Sequence, residues 1–149
     1  MLTMTSDAPL NGLKSTASTP QRRTYTPTIL VVDDDDNMRL LLRCILEKGG
    51  YQVVAVHNGQ QCLEAYERLH PALVILDGQM PGMDGFTCCQ RLRSLPGTAN
   101  LPILMLTAVN DEESRQRAFA VGVTDFMTKP YKIDVLLARV HCLLDAVQR

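Results

Sequence analysis

No stretch of this 149-residue sequence approaches the roughly 20 consecutive apolar residues needed to span a bilayer. The first residues lack the apolar core of a signal peptide, so nothing points to export, and no membrane partner is expected. Neither sign of charge is in excess. The formal net charge of −1 gives no global attraction to nucleic acid or to an acidic membrane surface, so no direct nucleic-acid contact is expected either. No pair among the cysteines, Cys44, Cys62, Cys88, Cys89 and Cys142, has CxxC spacing, and no histidine accompanies a close pair. A disulfide framework or a zinc site is therefore not expected, and reduced thiols in a cytoplasm fit better. The adjacent Cys88 and Cys89 read as small apolar residues on a helix flank rather than as a redox sensor.

Hydrophobic residues at 46% and charged residues at 21% are ordinary for a globular protein. The length suits one domain with a real core. Residues 1–26 are rich in Ser and Thr and hold no hydrophobic period, which predicts a flexible tail whose Arg22 and Arg23 are simply solvated. The domain is expected over 27–149.

From Thr28 onward a strand-then-helix pattern repeats. Short apolar runs at 28–33, 51–56, 72–77, 101–107 and 124–128 read as strands. Between them lie helical periods. Met38, Leu41, Leu42, Ile45 and Leu46 share one face of the first, which stops at Gly49 and Gly50. Asn58 caps the second, which carries Cys62, Leu63, Tyr66 and Leu69, with Pro71 beyond its end. The segment 85–95 is the third, 111–121 the fourth with acids in its first turn, and the fifth carries a stripe of Leu136, Val140, Leu143 and Val147. Five strands alternating with five helices predict a parallel α/β sheet covered on both faces. Right-handed crossovers narrow this to doubly wound folds, and the flavodoxin-like order 2-1-3-4-5 is expected.

In such sheets the site lies beyond the carboxyl ends of the strands. The first strand ends at Asp33 and Asp34, the third at Asp77, the fourth at Thr107, and the fifth runs into Lys129 and Pro130. Asp35 and Asp36 read instead as N-terminal acids or caps of the helix that follows. Strands one and three would be neighbours, so their carboxylates converge. Close carboxylates cannot all stay ionised without a counter-charge. A hard divalent cation on oxygen ligands, magnesium in particular, relieves the repulsion. Metal on one side and ammonium on the other prepare the cleft for a phosphoryl group, with Asp77 as nucleophile. Each residue alone is commonplace; the five together at strand ends are not.

The segments ILVVDDDDNMR, LVILDGQMPGMDGF, LPILMLTA and GVTDFMTKPY resemble, in order and spacing, the receiver domain of two-component response regulators, over about residues 28–147. The resemblance implies that Asp77 is the phosphoacceptor. Asp34 would ligate magnesium (or manganese) directly, Asp33 partly through water, and the Gln79 backbone carbonyl would complete the protein ligands. Lys129 and the Thr107 hydroxyl would hold the phosphoryl oxygens, aided by the backbone N–H groups of Gly78 and Ala108. Phe126 would be the switch aromatic, turning inward on phosphorylation, and the Lys129–Pro130 bond would be cis. Asp84 reads as the cap of the third helix, and Gly78 leaves room beside the phosphoacceptor. Gln79 and Val109 stand where the family tunes phosphoryl lifetime.

The implied donor is a phosphohistidine of a histidine kinase or phosphotransfer protein. The implied output surface is the face of the fourth helix, fifth strand and fifth helix, toward a downstream partner or a second copy in a homodimer. Arg115, Arg117, Phe119 and Tyr131 are candidates for that face. No output module follows the last helix, so a stand-alone regulator or a receiver cut from a longer protein with a diguanylate cyclase or DNA-binding output is expected. It is not expected to be an enzyme beyond its own phosphorylation and dephosphorylation. The rival is a magnesium-dependent aspartyl-phosphate phosphohydrolase of haloacid-dehalogenase type. That class needs a second Asp two residues after the nucleophile, where this chain has Gln79. A receiver kept only as a binding module would have lost some of these residues.

Overall fold

The computed structural model describes residues 26–148. The expected tail thus lies outside the described residues but for Thr26. Five parallel strands, β1 (Thr28–Val32), β2 (Gln52–Val56), β3 (Leu73–Asp77), β4 (Ile103–Thr107) and β5 (Asp125–Thr128), alternate with five helices. The helices are α1 (Asp36–Lys48), α2 (Gly59–Leu69), α3 (Gly85–Arg93), α4 (Glu112–Ala120) and α5 (Ile133–Gln148). The sheet order is β2-β1-β3-β4-β5, the doubly wound flavodoxin-like arrangement that the alternation predicts.

The three central strands are almost wholly apolar because alternate residues feed two separate cores. Leu30, Val32, Val74, Leu76, Met105 and Phe126 face a layer made by α2, α3 and α4. Ile29, Val31, Ile75, Leu104, Leu106 and Met127 face α1 and α5. Cys88 and Cys89, expected on a helix flank, are fully buried in the first layer. Burial pushes the Cys89 thiol up to about 11, the charge of Arg93 only partly opposing it, which suits inert core packing. Helix α5 buries Leu136, Val140 and Leu144 where the stripe expectation has Leu143. The buried face is centred on Val140, and Leu144, one turn on, falls within it while Leu143 sits at its margin. On α1 the face is likewise narrower than expected: Leu42, Ile45 and Leu46 are buried but Leu41 is 45% exposed.

The helix starts follow short polar side chains. Asp35, Asn58, Asp84 and Asp111 each cap the next helix, accepting from backbone N–H groups of its first turn. Helix α4 is the least amphipathic in composition, and Ala118 is its one buried residue. Side-chain contacts hold it instead: the Arg115 guanidinium lies 5.1 Å from the Phe126 ring centroid and that of Arg117 4.3 Å from the Phe86 ring.

Gly85 fixes how closely α3 approaches the end of β3. A Cβ there would collide with the Asp77 carbonyl oxygen and come within 2.8 Å of the Gly78 Cα, so no larger residue fits without moving the strand end that carries Asp77.

Candidate functional site

The register explains why three acids meet. Val32 of β1 pairs with Leu76 of β3, so the next residues, Asp33 and Asp77, leave adjacent strands side by side. Asp33 is 2% and Asp77 7% exposed, while Asp34 is exposed on the rim. Oxygens of Asp33, Asp34 and Asp77 lie within 4.8 Å of one another. Opposite them, the Lys129 Nζ is 3.1 Å from Asp33 Oδ2 and 3.5 Å from Asp77 Oδ1. The Lys129 backbone N–H donates to the Thr107 carbonyl at 2.9 Å, and the Lys129–Pro130 bond is cis, as the resemblance implies.

Further hydrogen bonds orient these groups. Asp33 Oδ1 accepts from the Asp35 N–H at 2.9 Å, and the Asp33 carbonyl accepts from Arg39 Nη1 at 2.8 Å. Arg39 also pairs with Asp36. Its role was not foreseen; the signal is an arginine one turn inside the helix that follows the acidic run. Thr107 is buried, and its Oγ1 accepts from the Val109 N–H at 3.3 Å. Ala108 is exposed at the rim beside it.

Two expectations need correction. The Gly78 N–H, expected as a phosphoryl donor, instead donates to the Leu106 carbonyl at 3.2 Å, because β3 and β4 continue their ladder there. The Gln79 N–H reaches the Asp77 carboxylate, at 3.3 Å from Oδ1, and is the amide that faces the site. Gly78 does keep space open: a Cβ on it would stand 3.1 Å from the Thr107 side chain. The second concerns Phe126, expected to turn inward. It is already inside, 4% exposed and part of the α2–α4 core layer beneath Arg115.

The candidates for the output face also divide. Arg115 and Tyr131 border a hollow of about 340 Å³ with Phe126, Lys132 and Arg139, and Phe119 is exposed. Arg117 turns the other way, 3.5 Å from Asp84, into a cleft of about 530 Å³ lined by Gln79, Phe86, Thr107 and Val109. An apolar groove of about 460 Å³ opens beside Lys129 between Met38, Leu41, Tyr131 and Ile133.

Electrostatically the site is under-compensated. Burial pushes the Asp77 carboxyl up to about 6, and the Asp33 charge adds to this, against the opposing pull of Lys129 and the Gln79 N–H. An all-oxygen set of crowded carboxylates, one of them held above the usual carboxylate range, fits a hard divalent cation.

Residues 29–141 match the model of the response regulator receiver domain, and the chain belongs to that family. Among its relatives are the DNA-binding dual master transcriptional regulator RpaA of Synechocystis sp., 40% identical over 83% of this chain and 51% of the relative. The phosphate regulon transcriptional regulatory protein PhoB of Rhizobium meliloti is 42% identical over 79% of this chain and 52% of its own. The chain thus spans about half the length of these relatives. A solved response regulator from Chloroflexus aurantiacus superposes with a TM-score of 0.77 at 37% identity, covering 81% of this chain and 99% of that one. The chemotaxis protein CheY4 of Vibrio cholerae does so with a TM-score of 0.77 at 29% identity, covering 80% and 99%.

Receiver domains of this family are signalling switches rather than enzymes acting on external substrates, and magnesium at an acidic pocket is typical of them. The phosphohydrolase reading falls with the family match. The expectation of no nucleic-acid contact loses its support, since the name of RpaA makes it a DNA-binding regulator. Among the described residues no helix is long and apolar enough to cross a membrane.

The raised Asp77 carboxyl has a consequence for stability. Folded protein holds a proton on Asp77 up to about pH 6, whereas the unfolded chain has released it by about pH 4. The folded state binds more protons across that window, so the Asp77 contribution weakens stability as pH rises from about 4 to about 6. With a chelator present, Asp77→Asn is expected to lack this loss and to exceed the wild type at pH 7.5 by on the order of 2 kcal/mol. Urea unfolding of both proteins from pH 4 to 8 measures it, and parallel curves would contradict it.

Proposed function

We propose that the protein is a phosphorylation-dependent switch that takes a phosphoryl group onto Asp77 from a phosphohistidine of a histidine kinase or phosphotransfer protein. The observation that carries this reading is a single ammonium, Lys129, shared between two buried strand-end carboxylates. Asp33, Asp34, Asp77 and the Gln79 backbone carbonyl would hold magnesium or manganese, which when bound would neutralise the carboxylates and the oxygens of the incoming group.

Both contacts to the Asp77 carboxylate fall on Oδ1, so Oδ2 is the attacking oxygen. The O–P bond forms as the P–N bond to the donor imidazole breaks, and the imidazole leaves with a proton from solvent. Lys129 then moves from the carboxylates to the phosphoryl oxygens, joined by the Gln79 and Ala108 N–H groups. Thr107 gives up its contact with the Val109 N–H and donates its hydroxyl. The apolar groove beside Lys129, with Leu41 and Ile133 exposed at its edge, is where the donor's own apolar surface would seat.

Movement of Thr107 loosens the loop between β4 and α4. Helix α4 buries one residue and leans on cation–π contacts, so a small change there can shift its population. With Phe126 already buried, the switch is a change of loop and helix around the ring. The α4–β5–α5 face then meets an output partner or a second copy, and in a longer chain the output would be a DNA-binding module of the kind that RpaA's name describes. The cytoplasm is the matching compartment.

Incubation with magnesium and acetyl phosphate, followed by intact mass, tests this. One phosphoryl adduct is expected, absent without magnesium and absent in Asp77→Asn. An adduct that persists in Asp77→Asn would sink the assignment. Val109 is apolar and lines the cleft, so it cannot orient an attacking water, and the adduct is expected to decay slowly. Val109→Glu should speed its decay several-fold; an unchanged half-life would count against this role.

A further inference from the structure

The run of four acids after β1 is sorted by its partners. Asp33 Oδ1 accepts from the Asp35 N–H and Oδ2 from Lys129 Nζ. Asp35 accepts from the N–H groups of Asn37 and Met38 at the start of α1. Asp36 pairs with Arg39. Of the four, Asp34 alone has no protein partner among the described residues, and its carboxylate reaches to within 4.8 Å of those of Asp33 and Asp77.

Arg39 makes a second contact, from a side chain only 19% exposed. Its Nη1 donates to the Asp33 carbonyl at 2.8 Å. That carbonyl belongs to the peptide joining Asp33 to Asp34, at the point where the β1 ladder ends. The Asp33 N–H still donates to the Val56 carbonyl at 3.2 Å, but the last pair with β3 is Val32 with Leu76. A peptide is planar, so fixing its carbonyl also fixes the direction in which Asp34 leaves the strand. Stability gives no comparable reason for the arginine. Helix α1 has its own cap in Asp35 and a buried face of Leu42, Ile45 and Leu46, and an ion pair with the exposed Asp36 adds little.

Resting on the reading of Asp33, Asp34 and Asp77 as cation ligands, we propose that Arg39 is a positioning residue for the cation site. One nitrogen of its fork holds the Asp33–Asp34 peptide and the other holds Asp36. Asp34 is thereby aimed at the other two carboxylates, and Asp36 is kept from competing for the ion. Two contacts at once are what a planar guanidinium offers and an ammonium does not. By charge alone the arginine works against the site, since a cation beside the acids repels a second cation. Charge and positioning thus act with opposite signs on ion affinity, which separates them.

The test is calorimetric titration of magnesium into the wild type, Arg39→Ala and Arg39→Lys, with circular dichroism confirming that each is folded at the titration temperature. Affinity is expected to fall about tenfold in Arg39→Ala, although a charge that repels the ion has been removed. Arg39→Lys keeps the charge but loses the fork, and a smaller fall, still several-fold, is expected. Unchanged or tighter binding in either variant would overturn the role of Arg39 while leaving the cation reading in place. The lysine variant decides alone should the alanine variant fail to fold. A lower melting temperature in chelator with unchanged magnesium affinity would make Arg39 merely structural and overturn the role too. No binding by the wild type would overturn the cation reading itself, and this role with it.

Discussion

The shared ammonium of Lys129 is the interaction on which the rest of the site depends. Parallel strands bring Asp33 and Asp77 to the same end of the sheet, with oxygens within 4.8 Å of each other. At an effective dielectric near 20, that spacing means a repulsion of roughly 3–4 kcal/mol. Lys129 at 3.1 and 3.5 Å contributes attractions of roughly 5 kcal/mol to each carboxylate on the same scale. Pairwise, the lysine wins. Yet the Asp77 carboxyl is still pushed up to about 6, with burial the leading cause. Desolvation therefore tips the balance, and the site keeps an unmet demand for positive charge. That demand suits a hard divalent cation, and a lysine shared between two carboxylates is the group that the proposed switch would turn toward a phosphoryl group.

The fold exists to hold that imbalance. Two core layers clamp each strand from both sides, so the strand ends cannot splay to relieve the repulsion. Gly85 lets α3 start flush against the end of β3, and Arg39 ties the start of α1 to the backbone just after β1 by donating to the Asp33 carbonyl. By contrast, α4 is held lightly, by Ala118 and by two arginines lying over aromatic rings. The doubly packed strands carry the acids and Lys129 at their ends, and the lightly held helix carries the exposed Phe119. Arg93 joins the two, donating to the Gly122 carbonyl in the turn between α4 and β5.

Strand-end acids were legible from the sequence because each follows an apolar run whose length places it. Asp33, Asp77, Thr107 and Lys129 all stand where the alternation of strand and helix puts them. The sheet order agreed with the doubly wound expectation because a continuous apolar strand has few other homes. What escaped the sequence was anything decided by hydrogen-bond competition or by rotation of a helix about its axis. The β3–β4 ladder takes the Gly78 N–H, which no residue pattern announces. The α5 face is centred on Val140 and so prefers Leu144 to Leu143. Phe126 is buried by its place on a strand between two layers, a fact that an expectation of inward motion overlooked.

The claim that the strand-end carboxylates form a cation site is tested most directly by calorimetric titration of magnesium into the wild type and Asp34→Asn. Asp34 is exposed, so its substitution removes a ligand without disturbing the core. One ion per chain is predicted for the wild type, with affinity lowered at least about tenfold in the variant. Binding of equal strength in both proteins, or none in the wild type, would contradict the account.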